Sequence, residues 1–468
     1  MMLVVMTSLT LNSAEAATHE AITSTVTSGQ WQLASNLISS AIESHSLTAT
    51  ERQEILFQQD RMRRIALDFT KSKADILVEA QRIAPGTSEA DITRWEADGA
   101  IESILIDGKQ HYFNRAAANV FRIHPEARER KASIQPGPDP DIACWMTNAA
   151  QVLQAKATLK TKRYRVKYTL KVQANTVPPG ESIRAWLPYP HRSTRQTDVR
   201  LIATTPPNPL VSPATNSLSC LYLEQPAVTN EPTIFTATFE FSTHTSLPNT
   251  PDFTPTSPSD ITPSDFLYHV QQRPPHIPFT PELRRLSDSI IGRERNPAVI
   301  ASKLFTWVSQ NIPWAGAREY STLESLTDYA LTHRHGDCGI QTMLFITLCR
   351  LNGIPARWES GWMVQPSPNL HDWCRIYLPN QGWIPVDVSY GLMPTDVPEL
   401  RLFYLGGFDG DRMIVNTDYD QPLYPPKQFF RSEVVDFQRG EVEWRGGNLY
   451  FDQWDYHCEF TEIPTPSK

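Results

Sequence analysis

A thiol, an imidazole and a carboxylate follow one another as Cys338, His371 and Asp387 in a chain of 468 residues. Together they supply a nucleophile, a general acid–base and a group to orient the base, which is the equipment for acyl transfer at an amide carbonyl. Cys338 stands in Gly336-Asp337-Cys338-Gly339, just before the apolar run Ile340, Met343, Leu344, Ile346, Leu348 and Leu351. That run predicts a buried helix of about four turns. Asp337 is placed to cap its start, and Gly353 to close it after Leu351. A cysteine in the first turn of a helix meets unpaired backbone N–H groups and the positive end of the helix dipole. Both favour the thiolate. The N–H groups around it, that of Gly339 among them, can also hold a developing oxyanion. The competing reading is an ordinary buried cysteine in a core helix.

His371 opens His371-Asp372-Trp373-Cys374-Arg375-Ile376-Tyr377-Leu378, a strand-like run, and Trp383-Ile384-Pro385-Val386-Asp387-Val388 returns after the turn residues Pro379-Asn380-Gln381-Gly382. The two runs predict a β-hairpin that carries imidazole and carboxylate at the same open end. Side chains alternate along a strand, so His371 and Asp387 share a face only if paired residue numbers have an even sum. A two-residue turn at Asn380-Gln381 would pair Pro379 with Gly382, an odd sum. The sequence therefore predicts an odd-length loop or a bulge between Leu378 and Trp383. The full expectation is a hydrogen-bonded row from sulfur through imidazole to carboxylate.

Other residues near these three admit bland readings. His333 and His335 with Cys338 make an H-x-H-x-x-C spacing, but no further zinc ligand is apparent, so no metal is assigned. Trp314 could line the acyl site or donate its indole N–H to an oxyanion, and Trp358 and Trp362 could shape a substrate groove. For all three tryptophans core packing is the more ordinary role. Cys349 and Cys374 read as small buried apolar groups. Six scattered cysteines without a C-x-x-C pair do not suggest a disulfide scaffold at this length. No acidic run forms an EF-hand loop, and no cofactor is implied.

The elements that must position these groups form an α+β, multidomain pattern. Residues 1–16 begin with an apolar run and end at Ala14-Glu15-Ala16, a leader-like segment without the usual basic start. Residues 17–130 are mainly helical in periodicity. Residues 131–160, with Pro136, Pro138 and Pro140, read as a linker. Over 161–245 strands alternate, most clearly at Tyr164, Val166, Tyr168, Leu170 and Val172, which suggests a β-sandwich module. Residues 246–280 are a Pro-rich linker, 281–395 the core that carries the chemistry, and 396–468 an aromatic-rich extension packed on that core. The net charge of −8 and the absence of a long basic run argue against a nucleic-acid partner. No stretch has the apolar length of a transmembrane helix. The leader-like start suggests a secreted or periplasmic protein.

Gly336-Asp337-Cys338-Gly339, Ile354-Pro355-Ala356-Arg357, His371-Asp372-Trp373 and Gly382-Trp383-Ile384-Pro385-Val386-Asp387 together resemble the transglutaminase-like superfamily. The resemblance covers about a quarter of the chain, and the flanking parts resemble its secreted, multidomain bacterial members. It implies a papain-like core in which the cysteine begins a helix packed on an antiparallel sheet. It also implies Cys338 as nucleophile, His371 as general base and acid, and Asp387 as the residue that orients His371. The family includes peptidases, amidases and amine transferases that cross-link proteins, so the implied partner is a protein or peptide substrate. A binding or assembly protein that keeps the fold without turnover is the alternative from another class.

Overall fold

The computed structural model describes residues 19–43, 47–137, 139–155, 160–248, 261–379 and 381–464. The leader-like segment 1–16 lies outside them. The chain divides into two compact units, residues 1–136 with 315–323, and residues 137–314 with 324–468.

In the first unit, helices α1 (Trp31–Glu43), α2 (Ala49–Asp68), α3 (Lys73–Ile83) and α4 (Glu89–Ala97) precede a short hairpin, β1 (Ser103–Ile106) and β2 (Lys109–Tyr112), and helices α5 (Ala116–Ile123) and α6 (Pro125–Ile134). Three of these helices start at capping boxes, Thr48/Glu51, Ser72/Asp75 and Ser88/Asp91, each satisfying two backbone donors reciprocally. Ile38, Ile65, Ile76, Ile92, Trp95 and Val120 are buried at its centre. The distant stretch 315–323 is held here by hydrogen bonds. The Arg61 guanidinium donates to the Thr322 carbonyl from Nε and Nη2 at 3.2 and 3.1 Å. Asn119 exchanges two hydrogen bonds with the Gly316 backbone, at 2.8 and 2.9 Å.

The second unit begins with α7 (Pro140–Gln154), inside the stretch 131–160 expected to be a linker. The proline that suggested a break occupies the first helical turn, where its missing N–H costs nothing, and Asp139 caps the helix by accepting from the Asp141 N–H. Strands β3 (Thr161–Val172), β4 (Ser182–Pro188), β5 (Gln196–Thr205), β6 (Leu210–Val211), β7 (Cys220–Pro226) and β8 (Thr233–His244) follow. The next stretch, expected as a linker over 246–280, carries α8 (Pro263–Val270), likewise started by a capping residue, Thr262, and a proline. Then come α9 (Pro281–Ile291), α10 (Pro297–Asn311), α11 (Leu326–His333) and α12 (Cys338–Leu351). Strands β9 (Ala356–Met363), β10 (Asn369–Leu378) and β11 (Gly382–Val386), the short helix α13 (Pro398–Arg401), and strands β12 (Arg412–Asn416), β13 (Glu441–Trp444), β14 (Gly447–Leu449) and β15 (Trp454–Glu462) complete it.

Three sheets organise this unit, in the orders β15-β3-β8-β5, β14-β13-β4-β7-β6 and β11-β10-β9-β12. The first two enclose the alternating Tyr164, Val166, Tyr168, Leu170 and Val172 of β3 with Phe235, Phe239, Trp186 and Leu221. The aromatic tail does more than pack on the core, because it contributes strands to all three sheets. The third sheet is antiparallel throughout, and α12 packs on its β9 and β10 strands.

Candidate active site

Helix α12 starts at Cys338 itself. Asp337 is its N-cap and accepts from the Ile340 N–H at 3.2 Å. Leu351 ends it, and Gly353 follows with φ +72°, the left-handed geometry that glycine adopts without strain. Gly339 is buried in the first turn, adjacent to the sulfur-bearing residue. Trp314 is 37% exposed and forms an isolated parallel bridge with Gly336, which brings the segment before α11 alongside the entrance to α12.

In the hairpin, Leu378 pairs with Gly382 and Cys374 with Val386. The paired numbers have an even sum, and the three positions between Leu378 and Gly382 make an odd-length loop, as the register argument required. His371 and Asp387 therefore leave their strands on one face, and His371 Nε2 meets Asp387 Oδ2 at 2.6 Å. Asp387 Oδ1 accepts from the backbone N–H groups of Ser389 and Tyr390 at 3.1 and 3.0 Å. Both residues are buried. The imidazole stacks on Tyr390 with ring centroids 4.7 Å apart and lies 5.7 Å from Trp373. Trp145 of α7 stacks on the far side of Tyr390 at 3.9 Å, so a helix hidden in a supposed linker buttresses the ring.

Arg412, on β12, adds a cation to this group. Its Nη2 lies 3.0 Å from Asp387 Oδ2 and 3.7 Å from Asp409 Oδ2. Its guanidinium sits over the rings of Tyr390, Trp373, Phe408 and Tyr404 at 4.6 to 5.6 Å. Burial alone would push the Asp387 carboxyl up. The opposing charges of His371 and Arg412, with the hydrogen bonds, outweigh it and hold the group below the usual carboxylate range.

At its sulfur end the structure departs from the expected row. The Cys338 thiol donates to Asp372 Oδ2 at 3.5 Å, and among the described residues no hydrogen bond joins Sγ to the His371 ring. Asp372, one residue on along β10, is the group the thiol meets at the head of α12. Nor is the thiolate favoured here, as the helix dipole alone would suggest. Burial pushes the thiol well above its ordinary value, and the charges of Asp372 and Asp337 push it further. Cys338 and Cys144 are half-buried, whereas Cys220, Cys349, Cys374 and Cys458 are buried.

The remaining candidate residues fall into place as packing. Trp358 is fully buried, and Trp362 is buried with its indole N–H donating to the Gln438 carbonyl at 3.1 Å, so neither lines an open groove. His335 is buried, which pushes its imidazole down to about 4, and its ring packs edge-on to Tyr329 at 5.8 Å. Sequence reasoning missed Asp372, Arg412, Tyr390 and Gln438. Asp372 was legible as the neighbour of His371. Tyr390 stands three residues after Asp387, while Arg412 and Gln438 come from the tail and carry no local signal.

Residues 284–388 match the family model of the transglutaminase-like superfamily, so the chain has a transglutaminase-like core within a mixed helix-and-sheet architecture. Among solved structures the chain is similar to a cysteine-protease candidate from Cytophaga hutchinsonii, at 18% identity and a TM-score of 0.44, over 66% of this chain and 93% of that one. It is also similar to the periplasmic domain of TgpA from Pseudomonas aeruginosa, at 15% identity and a TM-score of 0.27, over 53% and 92% of the two chains. A protease candidate from Parabacteroides distasonis follows at 9% identity and a TM-score of 0.19, over 49% and 67%. No curated protein matches the chain. Among the described residues no helix is long and apolar enough to cross a membrane.

Proposed function

We propose that this protein is a thiol enzyme that acts on protein or peptide amides through a Cys338 thioester. The observation that carries the reading is the buried His371–Asp387 pair, 2.6 Å apart, beside a helix that begins at Cys338. Cys338 attacks the carboxamide carbonyl while its proton passes to His371. The carbonyl oxygen takes the negative charge and meets N–H groups of the first turn of α12, that of Gly339 among them. His371, oriented by Asp387, returns the proton to the departing amine and leaves an acyl-sulfur bond. It then takes a proton from the acceptor, and acceptor oxygen or nitrogen replaces sulfur.

Water is the favoured acceptor, which makes the protein a peptidase or amidase, because water is abundant and no described residue of the site marks a place for a second amine substrate. Amine transfer is the alternative outcome of the same chemistry. The test is incubation with a casein-like substrate and a fluorescent amine. New N-termini or released ammonia are expected, each lost in Cys338→Ala and His371→Ala, with a smaller loss in Asp387→Asn. Amine incorporation would reassign the acceptor. Turnover that survives Cys338→Ala would end the reading.

A further inference from the structure

Asp372 is a carboxylate that the Cys-His-Asp scheme does not use, yet it is the hydrogen-bond partner of the nucleophile. Its Oδ2 lies 3.5 Å from Cys338 Sγ, and its Oδ1 accepts from Gln438 Nε2 at 2.6 Å. The same Nε2 donates to the His371 carbonyl at 2.8 Å, and the Gln438 carbonyl accepts from Trp362. The Thr342 hydroxyl of α12 donates to the Asp372 carbonyl at 3.4 Å. The residue is 2% exposed, held by the helix through Cys338 and Thr342 and by the tail through Gln438. The ionisable groups that act on the sulfur are Asp372 from β10 and Asp337 at the head of its own helix, both acidic.

We propose that Asp372 is a further catalytic residue, one that holds the Cys338 thiol proton in the resting protein and sets the pH at which the sulfur becomes a nucleophile. The inference rests on Cys338 being the nucleophile of the proposed reaction. The thiol has two stations. Pointed at Asp372 it is a neutral donor to an anion, and losing its proton there would leave two negative charges side by side. Turned to the imidazole it can give up that proton and form a thiolate–imidazolium pair. The resting arrangement therefore protects the sulfur, and substrate entry must move it from one partner to the other. Burial and the two carboxylates push the thiol upward, as this arrangement requires.

The test reads the sulfur directly. In a Cys144→Ser background, the rate of Cys338 alkylation by iodoacetamide, located by mass spectrometry, is followed across pH. Asp372→Asn removes the charge at constant shape. Its profile should move down by about one to two pH units, which makes labelling at neutral pH roughly ten to a hundred times faster. Gln438→Met takes a donor from Asp372 and concentrates its charge, so that profile should move up and labelling should slow. A general loosening of the site would speed both variants, so the opposite signs separate charge from structure. Profiles that coincide with the parent, a slower Asp372→Asn, or acceleration in both variants would overturn the proposal. Turnover is not read, so a protein without amide-cleaving activity decides the matter equally well, and loss of the functional reading is distinguishable from loss of this one.

Discussion

Asp387 Oδ2 faces two cation-capable groups, the His371 ring at 2.6 Å and Arg412 Nη2 at 3.0 Å. The guanidinium is held charged by Asp387 and Asp409 despite complete burial. It therefore shares the carboxylate's charge and keeps its proton off at moderately acid pH. Because the folded carboxyl is depressed, its contribution to stability is present above the ordinary carboxylate range and is lost as pH falls below that range through the lowered folded value. In Arg412→Met the Asp387 carboxyl should rise. The acidic limb of the activity–pH profile should then move up by about one unit, whereas Arg412→Lys should keep most of the parent profile. An unmoved limb in Arg412→Met would show that the arginine serves packing alone. Little of this was legible in the sequence. Cys338, His371 and Asp387 stand out because motif spacing exposes them. Arg412 and Gln438 act through long-range pairings that no local pattern reveals, and Asp372 hid behind the more familiar histidine beside it.

Among the elements, the site sheet depends on one missing side chain. Gly361 of β9 pairs with His371 on one side and Ile414 of β12 on the other. A Cβ built there would lie 1.9 Å from the Met413 carbonyl oxygen. Gly361→Ala should force β12 away from β9, at a cost of roughly 1–3 kcal/mol or more in urea unfolding. It should also lower activity by displacing Arg412, which stands at the start of β12. Unchanged stability would mean that the strands separate without penalty. The helix α12 and the β10–β11 hairpin were legible because their determinants are local, Asp337 and Gly353 for the one and an even register sum for the other. The helices at Pro140 and Pro263 were misread for a local reason too. Proline after a capping Asp139, or after Thr262, starts a helix as readily as it ends one.

At the scale of the whole molecule the two units answer to pH differently. In the first, the Asp68 carboxylate accepts from the Glu319 N–H at 3.1 Å. Burial, with Glu319 beside it, pushes the Asp68 carboxyl up to about 7. A raised folded value means that this group's contribution to stability is complete below the unfolded value of about 4. It is lost as pH rises through about 7. The melting temperature of the unit should fall between about pH 4 and pH 7 in calorimetry, and Asp68→Asn, which cannot ionise, should flatten the fall. A parent unit already flat over that range would contradict the assignment.

The second unit draws strands for its layers from both ends of a long stretch of chain. Strand β13 lies along β4, with Val442 opposite Ala185, and β15 lies along β3, with Cys458 opposite Tyr168. During translation, β3 and β4 would leave the ribosome with those borders unpaired and would wait for β13 and β15 to follow. Gln438, which grips Asp372, emerges just ahead of them. A nascent copy thus passes through a stage with two adhesive edges and an unset nucleophile, which closes only once Gln438, β13 and β15 have been made.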